Sequence, residues 1–445
     1  MAQKKIRSFY LETLGCAKNS VDSRSMAEML VVAGYQESGQ PGEADVIIVN
    51  TCGFIHPARQ ESLEVLRGFA RGKKKGQRLV AAGCLSERDK HHLLAQVESL
   101  DAVFGTRRWS DILKVMDRLA GSLPSPYMHF PLDAAILPPP GELTQAAVQG
   151  ASAYLKIADG CDRLCAFCAI PLIKGPMISR PPEQIIRDAC TLASQGVKEI
   201  ILIAQDTTAY GRDLGMQDGL TGLLRELVAV VPQIPWLRVM YAFPGSISDQ
   251  LIDLMAAQGQ VLPYVDLPLQ HAHPQVLKRM RRPRQMDQVR ALIGKLRGKM
   301  PSMALRTTFI VGYPGETDKE FETLMDFLRE TRFDHAGFFP YYHEPGTSAF
   351  SLADTVQDEL KEERLQRLAA LQEEISLSIN RGLVGKELDI LMEGHGDGMS
   401  MGRSYRDAPE IDGLVLVNGN IPPGEMVCAR VTGALVHDLI AEKIK

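Results

Sequence analysis

Nowhere in this 445-residue chain do about 18 apolar residues run together, the length a membrane-spanning helix needs. The opening Met-Ala-Gln-Lys-Lys-Ile-Arg-Ser has no apolar core of signal-peptide length either. Both absences point to the cytoplasm, where thiols stay reduced and cysteine serves metal or redox chemistry more often than disulfides. Charge of one sign is missing too. The 50 Lys+Arg and 54 Asp+Glu leave a net charge of −4, which argues against a surface that grips polyanions globally, although local basic patches remain open. No internal repeat is evident. The 45% apolar and 23% charged content is that of a globular protein, and the length asks for two or three domains.

Cysteine is scarce, with 8 in the chain, but it is not scattered. Three fall in Gly160-Cys161-Asp162-Arg163-Leu164-Cys165-Ala166-Phe167-Cys168, directly after an apolar run at 154–158 that reads as a strand. Three thiolates on one short loop can hold three irons of a cubane iron–sulfur cluster. No fourth cysteine or histidine lies near in sequence, so one iron would stay open to a small molecule. A structural zinc site closes with four ligands, and an odd number of thiols suits a disulfide poorly. Ordinary buried cysteines or a zinc loop are the alternatives.

Before that loop, short apolar strands at 8–14, 45–49 and 78–82, with a fourth starting at 103, alternate with helical patterns such as 20–33. This alternation predicts a doubly wound, parallel α/β sheet. Cys16, Cys52 and Cys84 each follow a strand, 36 and 32 residues apart, on the edge where such sheets bind ligands. A single cysteine at a strand end is usually a packed small hydrophobe; three at equivalent ends read as a second cluster site. Cys190 and Cys428 are expected to be core thiols. Pro124, Pro126, Pro131 and Pro138-Pro139-Pro140 predict a linker over 126–150.

From 151 onward six strands are predicted, at 154–158, 199–204, 236–241, 264–269, 305–311 and 335–339, separated by helical stretches. They imply a partial (β/α)6 barrel with its site at the carboxyl ends of the strands. Gln205 and Arg306 stand on or after such strands; solvated loop polars are the plain alternative. The basic run at 278–284 is either a solvated helix end or a contact for nucleic acid or an acidic substrate. His271 and His273 are assigned no role. A long helical pattern at 354–380 leads to glycine-punctuated short strands that read as a small β-barrel.

C-x3-C-x-Phe-C after a strand resembles the signature of the radical S-adenosylmethionine enzymes. That resemblance implies a [4Fe-4S] cluster on Cys161, Cys165 and Cys168. It also implies S-adenosylmethionine on the open iron, with Gln205 at its amino-acid end, Arg306 at its ribose or carboxylate and Phe167 near the adenine. Over its whole length the chain resembles the methylthiotransferases of that superfamily. These carry an N-terminal three-cysteine domain (here 1–125), the linker, a radical barrel (151–380) and a TRAM-like, OB-related β-barrel (381–445). The resemblance implies a second [4Fe-4S] cluster on Cys16, Cys52 and Cys84, two S-adenosylmethionines per turnover and an external electron donor. The reaction implied is insertion of a methylthio group into a C–H bond.

Leu14-Gly15-Cys16-Ala17-Lys18-Asn19-Ser20-Val21-Asp22-Ser23 resembles the branch that modifies the β-carbon of an aspartate on a small-subunit ribosomal protein, differing mainly at Ala17, where proline is usual. Gln205-Asp206-Thr207-Thr208-Ala209-Tyr210-Gly211 and Asp266-Leu267-Pro268-Leu269-Gln270-His271-Ala272 resemble the same branch. Residues 382–445 carry six basic against ten acidic side chains, a net of −4. An acidic module suits a basic protein partner better than RNA phosphates. A transfer RNA adenosine methylthiotransferase is the alternative within the family. A non-catalytic iron–sulfur protein that binds RNA is the alternative outside it.

Overall fold

The computed structural model describes residues 6–121, 126–131 and 143–444. Pro124 and Pro138-Pro139-Pro140 of the expected linker lie outside them. The chain first builds a six-stranded sheet from β1 (Ser8–Thr13), β2 (Gln36–Glu37), β3 (Val46–Thr51), β4 (Arg78–Ala82), β5 (Ala102–Phe104) and β6 (Tyr127–His129). The spatial order is β2-β1-β3-β4-β5-β6, and every pairing is parallel. Strand β3 is buried along its whole length, because apolar clusters cover both faces of the sheet, as expected of a parallel sheet wrapped in helices. The order reverses between β1 and β3, and ligands of open α/β sheets bind at such a reversal, beyond the carboxyl ends. Helices α1 (Ala17–Val32), α2 (His56–Gly72) and α3 (Gly83–Arg88) leave from that edge.

The expected linker is shorter than the prolines suggested. Its start contains β6, and its end contains β7 (Ala146–Gln149), which pairs antiparallel with β8 (Ser152–Lys156). Proline breaks regular structure locally but leaves short edge strands free to form beside it.

The second sheet system has six parallel strands in chain order: β8, then β11 (Glu199–Ile203), β12 (Trp236–Val239), β13 (Tyr264–Asp266), β14 (Ala304–Val311) and β15 (His335–Pro340). A bridge from Leu237 to Val261 and the bond from the Ala242 amide to the Asp266 carbonyl, 2.9 Å, carry the arc from β12 to β13. The cysteine loop is an excursion from this arc. Its feet are tied by a short antiparallel pair, β9 (Ala158–Asp159) with β10 (Ile178–Ser179).

After the 24-residue helix Asp358–Arg381, the strands β16 (Glu387–Gly396), β17 (Met399–Ser404), β18 (Val415–Asn418), β19 (Met426–Ala434) and β20 (Leu439–Lys443) close a five-stranded barrel. This barrel caps the amino-terminal end of the arc. Four of the parallel strands meet it through their first residue. Arg403 holds Ser152 Oγ at 2.9 Å and Glu199 at 2.7 Å, Tyr264 donates to Asp412 at 2.7 Å, and His335 lies 2.9 Å from the Arg406 carbonyl. One apolar cluster joins all three units through Val21 of α1, Tyr154 and Ile201 of the arc, and Leu391 and Ala408 of the terminal barrel.

Cys190 and Cys428 are exposed, not core thiols as expected. The helix Pro182–Ser194 buries Ile185, Asp188, Ala189 and Leu192, which leaves Cys190 on its outer face. In β19 the period of two buries Val427 and Ala429 and turns Cys428 outward. Among the described residues no helix is long and apolar enough to cross a membrane.

Candidate functional site

Close approach of the three strand-end loops of the first sheet is made possible by glycine. Gly15 has φ +94°, and a Cβ there would sit 2.8 Å from the Cys52 Cβ; Gly83 has φ +92°, and a Cβ would meet the Thr51 carbonyl oxygen at 2.6 Å. Neither position accepts a side chain without moving a cysteine loop. Asn19, in the first turn of α1, then fastens the loops together. Its Nδ2 donates to the carbonyls of Leu14 at 2.9 Å and Thr51 at 3.1 Å, while its Oδ1 faces Cys84 Sγ at 3.6 Å. Ser62 of α2 closes the third side, accepting from the Cys52 amide at 3.0 Å and donating to its carbonyl at 2.9 Å.

The second loop is pinned by its backbone. The Cys161 amide donates to Gly175 at 3.1 Å, the Ala166 amide to Met280 at 2.9 Å, and the Ala349 amide to the Ala166 carbonyl at 2.8 Å. Arg282, from the basic run, donates to the Pro268 carbonyl and lies 3.7 Å from Cys165 Sγ.

The two loops face each other. Cys16, Cys52, Cys84, Cys161, Cys165 and Cys168 all line one cavity of about 340 Å³, and Cys84 packs against Ala169 and Ile173, immediately beyond Cys168. Three interactions hold the units around it. Asp22 of α1 pairs with Lys156 and, at 3.0 Å, with Lys174, and Lys174 also reaches Asp159 at 3.0 Å. Arg107, beyond β5, donates to the Leu172 and Ile173 carbonyls at 2.7 and 2.8 Å, and Arg88 pairs with buried Glu344 at 2.7 Å.

In the protein alone four of these thiols resist ionisation. Burial pushes Cys52 and Cys161 up to about 11 and Cys168 up to about 12, and it raises Cys84 as well. Thiols in this state ionise when a cation supplies the missing charge. Among the described residues no three His, Cys, Asp or Glu side chains are gathered for a single metal ion. The six thiols surround a volume instead.

The remaining walls come from the carboxyl ends of β11, β12 and β13. Gln205 donates to Asp159 at 2.9 Å, and its Oε1 is buried without a hydrogen-bond partner. Phe167 lines the cavity and packs against the apolar cluster of Tyr313 and Tyr341. Tyr241 and Gln270, also in the wall, hold positive φ of 61° and 75°. Left-handed backbone is costly for such residues and persists where surrounding bonds impose it. Here the Tyr241 amide is held by Asp266 at 3.1 Å, and the Gln270 amide donates to Thr308 at 2.8 Å.

Arg306 is not in this cavity. It pairs with Asp266 at 3.1 Å and with Asp412 of the terminal barrel at 3.2 Å, lining a separate cavity of about 290 Å³ with His335 and His437. As the third residue of β14 it stands near the amino end of that strand, away from the thiols. The buried His271 stays outside the cavity too. The basic run divides: Arg282 turns inward, and Arg279 pairs with Glu320 at 2.9 Å. Lys18, Asn19, Arg163, Asp206 and Tyr241 are wall residues that the sequence reading gave no role. Lys18 and Asn19 sit inside the first cysteine string, which was their available signal.

Three family models match the chain: the uncharacterized protein family UPF0004 over residues 8–105, the radical SAM superfamily over 155–328 and the TRAM domain over 384–444. A ribosomal protein uS12 methylthiotransferase RimO from Chloroflexus aurantiacus is 46% identical over 98% of this chain and 99% of its own length. The chain belongs to the RimO methylthiotransferase family. A further RimO, from a Thermoanaerobacter species, is 41% identical over 97% of this chain and 98% of its own length. Among solved structures, the radical S-adenosylmethionine methyltransferase TsrM from Kitasatospora setae matches with a TM-score of 0.56 at 13% identity, covering 89% of this chain and 77% of that one. OxsB, a cobalamin-dependent S-adenosylmethionine radical enzyme, matches with a TM-score of 0.51 at 12% identity, covering 83% and 56%. Both likenesses are of fold.

Proposed function

We propose that this RimO-family transferase inserts a methylthio group at the β-carbon of an aspartate of ribosomal protein uS12. Relatives that match along nearly their whole length bear that name. The donor set suits the cofactors of the family. Cys161, Cys165 and Cys168 hold one [4Fe-4S] cluster, Cys16, Cys52 and Cys84 hold another, and each set offers one ligand fewer than a closed site needs. When bound, the clusters and S-adenosylmethionine supply one-electron and group-transfer chemistry. The chain's own residues bind, orient and exclude water. Gln205 Oε1, buried and unpartnered, suits the amino group of S-adenosylmethionine, and Phe167 suits a flank of the adenine.

Residues 1–125 carry the auxiliary thiols, 126–150 connect, 151–380 carry the radical site and 381–445 form the TRAM barrel. An external reductant and a cytoplasmic setting complete the proposal, the latter supported by eight cysteines free of disulfides. The acidic terminal barrel favours a basic protein over nucleic acid as partner.

One observation carries the reading: thiol triads from two separate sheets line a single cavity. Reduced, reconstituted enzyme and S-adenosylmethionine are incubated with uS12 and, separately, with transfer RNA. Mass spectrometry should find one methylthio group in place of one hydrogen on the protein alone. Modification of RNA and not of uS12 overturns the assignment. A variant lacking Cys16, Cys52 and Cys84 should still cleave S-adenosylmethionine and yield no methylthiolated product.

A further inference from the structure

Four cations and one carboxylate line the thiol cavity: Lys18, Arg163, Lys174, Arg282 and Asp206. Two of the cations are satisfied. Arg163 binds Asp206 at 2.7 Å, and Lys174 is shared by Asp22 and Asp159 at 3.0 Å each. Among the described residues, Lys18 and Arg282 have no carboxylate in ion-pair range. Arg282 at least spends its guanidinium on a carbonyl, on the Phe243 ring and on Cys165 Sγ.

Lys18 has less. It is only 9% exposed, its Nζ lies over the Tyr241 side chain, 3.4 Å from the ring centroid, and donates a long 3.4 Å hydrogen bond to the Ala204 carbonyl, while the carboxylate that acts on it, Asp266, stays beyond ion-pair distance. A buried ammonium with no carboxylate in contact is costly, and here it stands in the wall of a cavity whose reaction involves two carboxylates. One belongs to the methionine end of S-adenosylmethionine, which must stay beside the Cys161, Cys165 and Cys168 loop, where Arg282 stands. The other belongs to the substrate aspartate.

Lys18 leaves the first turn of α1, two residues past Cys16, and crosses to the ends of β11 and β12. Its charge therefore lies on the wall of the cavity that both thiol sets line, beside the space where the reacting carbon has to sit. In aspartate the carboxylate carbon is bonded directly to the β-carbon. A cation that grips the carboxylate thus fixes the reacting atom one bond away. We propose that Lys18 is the receptor for the carboxylate of the substrate aspartate and selects aspartate over asparagine at the reacting position. The inference rests on the function proposed above.

The test uses the full-length, anaerobically reconstituted enzyme and two labelled synthetic peptides. Both span the modified aspartate of uS12 as located by mass spectrometry of the product; one carries Asp and the other Asn at that position. Affinities are read by fluorescence anisotropy, with iron content recorded for each protein. Wild type should bind the Asp peptide on the order of tenfold to a hundredfold more tightly, the range of a charge-assisted contact in a buried site. Lys18→Met should bind both peptides alike, with the loss confined to the Asp peptide, and Lys18→Arg should restore most of the preference.

Equal affinity of wild type for the two peptides overturns the inference whatever the variants do. So does a Lys18→Met protein that keeps the preference while its cluster potential moves, since Lys18 then serves only to balance thiolate charge. A wild-type enzyme that neither binds nor modifies either peptide sinks the underlying uS12 reading instead.

Discussion

Replacing Asp22 by Asn should uncouple the two thiol sets. Asp22 sits on α1 in the first unit, and its carboxylate meets Lys156 and Lys174 of the second; all three side chains are 2% exposed. With Asp159, the group holds two cations and two anions. The Asn variant keeps the shape but leaves two buried ammoniums to a single carboxylate. At 3.0 Å and an effective dielectric of about 20, one such pair is worth roughly 5 kcal/mol before desolvation is counted. Measured losses on removing one partner of a buried pair run to about 3–5 kcal/mol, and that is the expected destabilisation. Equilibrium urea unfolding of the apo-protein measures it, and amide exchange in α1 and in the helix Ile170–Lys174 locates it. The companion Asp22→Asn/Lys174→Met restores charge balance and should recover a large part of the loss in a double-mutant cycle. An Asp22→Asn protein within about 0.5 kcal/mol of wild type, with unchanged exchange in those helices, would refute the reasoning; that range is typical of inconsequential surface changes.

Two further outcomes test the other end of the molecule. Glu199 is buried between Arg238 and Arg403, which hold it near 2 against an ordinary 4.5. Because the folded-state value is depressed, this contribution is complete above about pH 4.5 and disappears as pH falls toward 2, for a total of roughly 3 kcal/mol. Glu199→Gln should remove most of that acid dependence and raise amide exchange in β17; an unaltered acid-unfolding profile would contradict it. Arg306→Ala should leave the KM for S-adenosylmethionine within about twofold of wild type while costing about 3 kcal/mol in stability, since it strands Asp266 and Asp412. A large rise in KM with stability intact would return Arg306 to the cofactor site.

The strands of the radical barrel were legible because each is a short, mainly apolar run between polar helical patterns, and all six formed where those runs fall. The cysteine loops were legible for a similar reason: strand ends can be read from one sequence, and strand ends are where open sheets place their sites. Three features were not. β2 is two exposed residues, Gln36 and Glu37, too short to leave an apolar signature. Arg306 is the second residue of the strand expected at 305–311, near its amino end, and a residue there does not reach the carboxyl end where the cofactor site lies. Lys18 reads as an ordinary polar residue at a helix start. Its place in the wall exists only because α1 of one sheet packs on β7 and β8 of another, which brings the Lys18 side chain to the ends of β11 and β12.

The placement of the terminal barrel limits what can choose the reacting residue. Its contacts gather on Ser152, Glu199, Tyr264 and His335, the first residues of their strands, whereas the thiol cavity opens at the last. β14 spans 8 residues, and at roughly 3.3 Å per residue its two ends are about 23 Å apart. An acidic surface at one end can attract a basic protein and raise its encounter rate, but it cannot sense one carboxylate that far away through screened solvent. Discrimination at the reacting carbon must therefore be made by groups in the cavity wall. There the first unit contributes one buried cation without a carboxylate, on the helix that also bears Asn19 and Asp22. Asp22, which ties the first unit to Lys156 and Lys174 of the second, and the residue that meets the substrate thus lie within two turns of α1, so a change that loosens that helix should weaken docking and selectivity together.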